Sequence, residues 1–402
     1  MKALEDVKIA DFTWVAAGPL TTTCLAQFGA TVVRIESISR PDGQRTFPPN
    51  KDGIPGVNRS FEFSADNLNK YGMTINMKHP EGMKTAKELI AWADIVAENF
   101  RPGQMEKWKL GYEDLKEINS SIIMFRSSAQ GQSGPYAKMG MTGIQLQSWT
   151  GFTSLTGWPD RDPSPPWGAY TDLTVPGLGV AVICAALDYR KRTGKGQCID
   201  LAQFEASLHF LAPSVLDYTA NGRVATRMGN TCPYAAPHGL YRCKGDDRWC
   251  TIAVFDDKEW KTFCGAIGNP EWTADTKFAT VMGRKEHEAE LNRLVEAWTI
   301  HYSPEEVMIC LQDAGVSAGI VENAQDMLED PQLKERGIFQ RLNHDELGFA
   351  LHRGPAFQLS KTPWELTMPG PCLGQHTEYV CREFLGMSDE EFVERLSSGA
   401  FD

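Results

Sequence analysis

Near the start of the chain, β-branched runs alternate with apolar helical runs, and this alternation constrains the fold more than any other feature. Residues 7–12 are typical of a strand, and residues 16–19 of a turn whose proline suits the first turn of a helix. Gly29 then leads into residues 30–35, a second β-branched strand. A strand–helix–strand unit of this kind has two parallel strands joined by a right-handed crossover.

Two further helices, each leading into an apolar strand, are predicted between residues 81 and 125. Repeated alternation predicts an α/β fold with an open, mainly parallel Rossmann-like sheet. Ligands of such sheets bind at the carboxyl ends of the strands. Residues 14–17, 99–101 and 127–128 each follow a predicted strand, so we expect them to gather at one site.

The second half of the chain changes in character. A helix is predicted over residues 174–192, with cations in its last turn before Gly194. Beyond a change in composition at residues 221–237, the pattern is typical of a second, smaller α+β domain. We expect a large domain over residues 1–205 that is completed by 335–402, a linker over 206–230, a small domain over 231–320 and a second linker over 321–334.

Charge and composition narrow the class of protein. The net charge of −12 argues against broad binding to nucleic acid or to anionic membranes. The N-terminal segment is too charged for a secretion signal, and the longest apolar stretch, residues 175–187, is shorter than a membrane span. The ten cysteines are scattered, without a CxxC pair or the spacing of zinc ligands. We expect a cytoplasmic protein with reduced thiols, no metal site and no nucleic-acid or membrane partner.

Several common catalytic signatures are missing. The sequence has no GxGxxG after its first strand, no Walker A loop and no GxSxG nucleophile elbow. An NAD-dependent dehydrogenase would suit the strand–helix alternation, but it lacks support without the phosphate-binding glycines.

Asp172 stands immediately before the predicted helix, in the segment Gly-Ala-Tyr-Thr-Asp-Leu. One interpretation is structural, because an aspartate at a helix start accepts backbone N–H bonds and complements the helix dipole. The other is catalytic, with the carboxylate as a nucleophile near the donors of a helix end. Spacing alone does not choose between them.

Six segments, in this order and at this spacing, resemble the class III CoA-transferases, which include formyl-CoA and carnitine CoA-transferases. The resemblance extends over nearly the whole chain. The segments are residues 11–19, 28–36, 98–103, 131–136, 192–197 and 373–377.

The resemblance implies a reaction and an assembly. Asp172-Leu173 occupies the position of the family's nucleophile, about twenty residues before the Arg-Thr-Gly-Lys-Gly-Gln segment at 192–197. It implies that CoA moves from an acyl-CoA donor to a carboxylic acid through an aspartyl-CoA thioester. Coenzyme A is then a substrate, and no tightly bound cofactor is expected. Members of the family form interlocked dimers, which we carry over as an expectation.

The resemblance also implies which residues contact CoA. Residues 15–17 would offer backbone groups, residues 68–71 would frame the adenine, and several cations would face the phosphates. The expected set is Val15, Ala16, Ala17, Arg40, Leu68, Lys70, Tyr71, Asn99, Phe100, Arg101, Lys107 and Lys138.

One departure from the family concerns specificity. The glycine-run lid of formyl-CoA transferases is replaced by residues 233–239, which suggests a larger acid than oxalate or formate. His238 in this segment is either a substrate contact or a structural residue. Trp14 and Trp149 either line an acyl pocket or belong to the core. We expect a bulky or aromatic dicarboxylate, such as a succinate derivative, with succinyl-CoA or acetyl-CoA as donor.

Two alternatives remain beside a homodimeric transferase. The related 2-methylacyl-CoA racemases place a histidine after a glycine where this chain has Gly140-Met141, and methionine cannot transfer a proton. Other members are heteromers of two similar chains. A partner-dependent subunit therefore stays open.

Overall fold

The computed structural model describes residues 1–402, which divide into two compact units. The larger unit comprises residues 1–152, 165–223 and 332–402. The smaller unit comprises residues 153–164 and 224–331. The segment 206–230, expected to be a linker, is helical as far as Asn221, and the short segment 153–164 belongs to the smaller unit.

Parallel strands form the sheet of the larger unit. They are β1 (Lys8–Asp11), β2 (Thr31–Glu36), β3 (Lys70–Thr74), β4 (Ile95–Glu98), β5 (Ile123–Ser128) and β6 (Cys198–Ala202). Their order is β3-β2-β1-β4-β5-β6, with every neighbouring pair parallel. The predicted open parallel sheet is confirmed. The order reverses between β1 and β4, and such a switch point leaves a crevice at the carboxyl ends of the strands.

The helices lie between and beyond these strands. In chain order they are α1 (Ala17–Gln27), α2 (Phe61–Asp66), α3 (Pro80–Trp92), α4 (Gln104–Lys107), α5 (Tyr112–Ile118), α6 (Gly143–Trp149), α7 (Phe152–Leu155), α8 (Tyr170–Thr193), α9 (Gln203–Asn221), α10 (Asp257–Ala266), α11 (Val281–Glu286), α12 (Glu288–Thr299), α13 (Pro304–Asp313), α14 (Ala324–Glu329), α15 (Pro331–Glu335), α16 (Thr377–Tyr379) and α17 (Asp389–Ser398). A π-helical turn covers Val380–Phe384, and short 3₁₀ turns cover Gly43–Thr46, Lys51–Gly53, Glu271–Ala274 and Thr276–Phe278.

Both faces of the parallel sheet are buried, because successive side chains of a strand point to opposite faces. On one face, Ile9 and Phe125 pack with Ile183 of α8. On the other face, Ala10 and Val96 pack with apolar residues of α3 and of the C-terminal segment. Burial on both sides explains why the strands read as continuous apolar runs.

Helix α8 begins earlier than predicted, at Tyr170 rather than Thr174, so Asp172 lies within its first turn. It ends at Gly194, whose φ of 73° closes the helix in the left-handed region. The helix is long and apolar enough to cross a membrane. Core helices of soluble proteins also reach this length and hydrophobicity. Of its most apolar window, 33% is buried.

Antiparallel strands account for the remaining sheets. The smaller unit contains β7 (His238–Arg242), β8 (Trp249–Ala253) and β9 (Ser317–Ile320), paired in that order. The larger unit contains the hairpin of β10 (Phe339–His344) and β11 (Gly348–Arg353). Across residues 1–402, all ten cysteines are free and no group of three or more His, Cys, Asp or Glu side chains is placed to hold a metal ion.

Candidate active site

The loop after β1 is held from both sides at the switch point of the sheet. The Trp14 backbone N–H donates to Oδ1 of Asn99 at 2.8 Å, and Nδ2 of Asn99 donates to the Trp14 carbonyl at 2.6 Å. The next N–H, of Val15, donates to Oδ2 of Asp42 at 3.0 Å. Val15 has a φ of 56°, a costly conformation for a β-branched residue. The contacts on each side keep the loop in this strained shape.

A buried charge network lies beneath the loop. Arg34 forms an ion pair with Asp42 and donates from Nη1 to the Thr13 carbonyl at 2.8 Å. Arg45 pairs with Glu36 at 2.6 Å. The arginine side chains are fully buried and the carboxylates nearly so. Loss of one member would strand a charge, typically at a cost of about 3–5 kcal/mol.

The turn after β4 is fixed by a second set of charges. Oε2 of Glu98 accepts the Phe100 N–H at 2.7 Å, while Oε1 accepts from Nε of Arg126 at 2.7 Å. Arg126 also donates to Glu106 of α4 at 2.8 Å. These contacts determine where Phe100 and the following residue, Arg101, leave the sheet.

A first pocket of about 600 Å³ opens between these two loops. Its aromatic lining consists of Trp14, Phe100 and Trp108, whose rings meet edge to face at 5.6 and 5.5 Å. Arg40 and Lys78 also line it, and the Arg40 guanidinium lies 5.8 Å from the centre of the Trp14 ring. An aromatic pocket with exposed cations suits a base attached to phosphates.

A second pocket of about 300 Å³ shares Phe100 and Arg101 with the first. Met139, Met141 and Thr142 line it further along. Thr142 is the residue before α6, so this pocket runs towards the start of that helix.

Asp172 lies beyond Thr142. A Cβ atom built on Gly143, the first residue of α6, would come within 2.8 Å of Oδ2 of Asp172. The Asp172 side chain accepts no hydrogen bond from a capping N–H and pairs with no cation. Burial, reinforced by the negative charge of Asp66, raises the pKa of Asp172 to about 6. An aspartate that neither caps a helix nor forms an ion pair is unusual for a structural residue.

Residues 4–377 match CoA-transferase family III. The chain belongs to this family. It is 32% identical over 392 residues to the succinyl-CoA–D-citramalate CoA-transferase of Chloroflexus aurantiacus, covering 98% of this chain and 96% of that one. It is also 32% identical over 392 residues to the beta subunit of succinyl-CoA–L-malate CoA-transferase from the same organism, covering 96% of this chain and 95% of the relative.

The fold agrees with this membership. A crystal structure of a CAIB/BAIF family protein from Brucella suis superposes with a TM-score of 0.86 at 30% identity. The match covers 95% of this chain and 99% of that one. The protein is a family III CoA-transferase.

Some of the residues expected to contact CoA in this transferase lie together around the two pockets. Arg40, Phe100 and Arg101 line the pockets. Asn99 lines the second pocket, and its amide is already engaged by Trp14. In the neighbouring loop, Val15 and Ala16 are accessible whereas Ala17 is buried at the start of α1.

The structure corrects the expectation that the Lys70 side chain contacts CoA. This side chain is fully buried, and Nζ contacts Oδ2 of Asp11, the Pro19 carbonyl and Oδ1 of Asn67 at 2.9–3.0 Å. Leu68 is buried as well. These side chains hold the sheet together and do not reach either pocket.

Tyr71 is also displaced from the expected site, because residues 68–71 lie at the amino end of β3. Its ring packs against Tyr379 and His376 of the C-terminal segment. At the carboxyl end of β3, the segment that lines the first pocket is instead 75–78. Sequence reasoning missed this segment because β3 was not recognised as a strand. Its apolar alternation through Met73 and Ile75 was the available signal.

Lys107 and Lys138 are exposed but lie outside the linings of both pockets, whereas their chain neighbours Trp108 and Met139 belong to them. Trp149 packs against Tyr136 at 5.4 Å and is half exposed. Trp14, considered for an acyl pocket, lines the first pocket instead.

The lid segment lies in the smaller unit. Nδ1 of His238 contacts the Asn230 carbonyl at 2.8 Å, which fixes the ring and leaves Nε2 free. Tyr234 is exposed beside Phe255, with ring centres 6.5 Å apart. The segment therefore exposes the ring of Tyr234 where formyl-CoA transferases have glycines.

Proposed function

We propose that this enzyme transfers CoA from succinyl-CoA to a dicarboxylic acid, through a covalent intermediate on Asp172. The observation that carries the proposal is a buried carboxylate without capping or ionic partners, next to Gly143, the residue after Thr142, which lines the second pocket. The nucleophile role itself follows from the family resemblance.

The chemistry divides one difficult exchange into steps that a carboxylate can perform. An oxygen of Asp172 attacks the thioester carbonyl, the C–S bond breaks, and a mixed anhydride and CoA thiolate form. The thiolate attacks the Asp172 carbonyl carbon, the anhydride C–O bond breaks, and the donor acid leaves. The acceptor carboxylate then attacks the aspartyl-CoA thioester and the same bonds form and break in reverse.

The raised pKa of Asp172 suits this role. At pH 7 a carboxyl with a pKa of about 6 is about nine-tenths ionised, so the nucleophile is available. A carboxylate without hydrogen bonds is also more basic and more nucleophilic than a solvated one. The transfer rate is expected to rise with pH through about 6 and to level off above it.

The pockets give the proposed orientation of CoA. Adenosine would occupy the first pocket among Trp14, Phe100 and Trp108, with Arg40 and Lys78 beside its 3′-phosphate. Pantetheine would follow the second pocket past Met139 and Met141. The thioester would then arrive at Thr142 and Gly143, beside Asp172.

The acceptor class rests on the relatives, which act with succinyl-CoA on D-citramalate and L-malate. Both are hydroxylated four-carbon-backbone diacids. The departure of residues 233–239 from the glycine-run lid favours testing succinates with larger substituents as well, including aryl succinates.

Racemization of 2-methylacyl-CoA is the weaker candidate. Where the related racemases carry a proton-transferring histidine, Met141 lines the second pocket and its sulfur contacts Nε2 of Gln130 at 3.6 Å. A thioether cannot act as the acid or base that such a reaction requires.

For the assembly, we propose a homodimer in the cytoplasm. Helices α8 and α9 pack together in the larger unit and expose Leu173, Leu178, Phe210, Leu216 and Tyr218. Apolar side chains in this number are typical of a covered surface. Because one relative is a beta subunit, a homologous second chain is the alternative occupant of this surface.

The decisive experiment incubates the enzyme with succinyl-CoA, adds hydroxylamine, and locates the adduct by peptide mass spectrometry. We expect a hydroxamate at Asp172 and none in Asp172→Ala. Parallel assays with malate, citramalate, glutarate and an aryl succinate identify the acceptor. The exposed Asp162→Ala variant is the matched control and should be labelled as the native enzyme is.

Transfer at full rate with residue 172 unlabelled would contradict the covalent intermediate. If the native enzyme binds CoA but transfers it from succinyl-CoA to none of the four acceptors, the assignment of donor and acceptor would be contradicted instead.

A further inference from the structure

Arg101 occupies the junction of the two pockets, since it lines both. Its guanidinium is exposed, forms no ion pair and donates no hydrogen bond within the chain. Unpaired cations at the edge of an aromatic pocket are free to bind a phosphate group.

Gly140 provides the space that this guanidinium occupies. A methyl group built on Gly140 would overlap Nη2, Cζ and Nε of Arg101. The backbone of Gly140 does not require glycine, because its φ lies outside the left-handed region in which Gly131 and Gly134 are found. The missing side chain therefore matters for the room it leaves.

The order of the pockets indicates which part of the ligand meets Arg101. The first pocket suits adenosine, and Arg40 and Lys78 beside it suit a 3′-phosphate. The second pocket leads to the thioester position at Thr142. In CoA the diphosphate joins these two parts, so it lies at the junction.

We propose that Gly140 is a positioning residue that seats the Arg101 guanidinium at the junction, where Arg101 binds the diphosphate of CoA. The inference rests on the proposed function, because it takes CoA as the ligand. It adds a binding element that depends on a residue without a side chain.

The test compares CoA with dephospho-CoA, which lacks the 3′-phosphate but keeps the diphosphate. Dissociation constants are measured by calorimetry for native enzyme, Arg101→Ala and Gly140→Ala. Arg101→Ala is expected to weaken both ligands by a similar factor, about 10- to 100-fold, the range for a lost hydrogen bond to a charged group. Gly140→Ala is expected to weaken both by a smaller factor, because the guanidinium is displaced rather than removed.

Two further variants separate positioning from a general effect on the fold. In the Arg101→Ala background, adding Gly140→Ala should change neither constant further, because the affected group is gone. In the same background, Gly140→Lys should restore part of the affinity for both ligands by returning a cation to the junction. Gly265→Ala, in open space with an ordinary backbone, is the control and should bind as native does.

Three results would overturn the inference. Selective weakening of CoA over dephospho-CoA in Arg101→Ala would assign Arg101 to the 3′-phosphate. Unchanged dissociation constants in Arg101→Ala would show that Arg101 does not contact either ligand. If Gly140→Ala weakened binding as much in the Arg101→Ala background as in the native enzyme, Gly140 would act independently of Arg101. Failure of the proposed function is distinct, because it is detected in the native enzyme by the missing Asp172 adduct or by absent transfer, whereas this inference is tested by the CoA affinities of the variants.

Discussion

At the scale of single residues, two effects on Asp172 oppose each other. The first turn of a helix favours a negative charge, typically by about 0.3–1 kcal/mol when the site is exposed. Burial disfavours the charge, and the nearby Asp66 carboxylate adds to that effect. The pKa rises to about 6, so burial outweighs the dipole. The ionised form is costly to the fold, which is expected of a group kept for reactivity.

The stability of Asp172→Asn should therefore depend on pH. The pKa of Asp172 is raised from 3.8 in the unfolded chain to about 6 in the folded one. Below pH 3.8 the carboxyl does not change the free energy of unfolding, and as the pH rises from 3.8 to about 6 its ionisation lowers that free energy. We expect the variant to lose transfer activity and to be more stable than native at pH 8, by up to about 3 kcal/mol. At pH 3.5 the two should unfold alike in urea titrations.

The exposed Asp162→Asn variant controls for the change in net charge and should match native at both pH values. Equal stability of native and Asp172→Asn at pH 8 would show that the carboxylate carries no desolvation cost.

At the scale of elements, strand ends determine the shape of the site. The loop after β1 and the turn after β4 meet because β1 and β4 are neighbours in the sheet. Asn99 then bonds both backbone groups of Trp14, and Asp42 holds the N–H of the strained Val15. The first pocket depends on this arrangement, since Trp14 forms one of its walls.

Asn99→Ala should loosen this loop. The variant loses two hydrogen bonds of about 1 kcal/mol each, so CoA affinity is expected to fall about 5- to 30-fold in calorimetry. Asn119→Ala is the matched control, because Asn119 also bonds two backbone groups, the Ala93 carbonyl and the Ser121 N–H, away from the pockets. It should lose stability without losing CoA affinity. Equal CoA affinities in both variants would contradict a role of Asn99 in holding the loop that forms the first pocket.

Lys70 and Lys78 provide a contrast between structure and binding. Lys70→Met would leave Asp11 without its buried cation, and we expect a loss of about 3–5 kcal/mol in unfolding free energy. Lys78→Met should leave stability near native and weaken CoA more than dephospho-CoA, because Lys78 lines the first pocket. A Lys70→Met variant that is as stable as native but binds CoA more weakly would show that Lys70 contributes to CoA binding and not to stability.

At the scale of the whole molecule, the outer surface of α8 and α9 exposes several large apolar side chains, on which the proposed dimer rests. Leu216 is 66% exposed and Val215 52%. If the proposed homodimer forms through this surface, charging both positions with Val215→Glu and Leu216→Glu should yield monomers in chromatography with light scattering. Met282→Glu, at a residue 78% exposed in the smaller unit, should leave the mass unchanged.

A native chain that is monomeric and becomes active when a homologous subunit is added would replace the homodimer with the heteromer. A monomeric chain that is fully active alone would contradict both assemblies.

Much of the fold follows from local patterns. β-branched runs bounded by glycine and the helices between them predicted the parallel sheet, because strand and helix periodicities depend on residues close in the chain. The pattern missed β3, whose glycine and polar residues weaken its alternation. The position of the nucleophile came from the family resemblance, since spacing alone also fitted a helix cap.

By itself, the sequence determined the α/β class, the family and the candidate nucleophile, all of which depend on the order and type of residues along the chain. Only the tertiary structure decided that Lys70 is buried against Asp11, that residues 75–78 rather than 68–71 line the first pocket, and that Asp172 lacks partners. Burial and charge partners depend on segments far apart in the chain, which the order of the strands brings together.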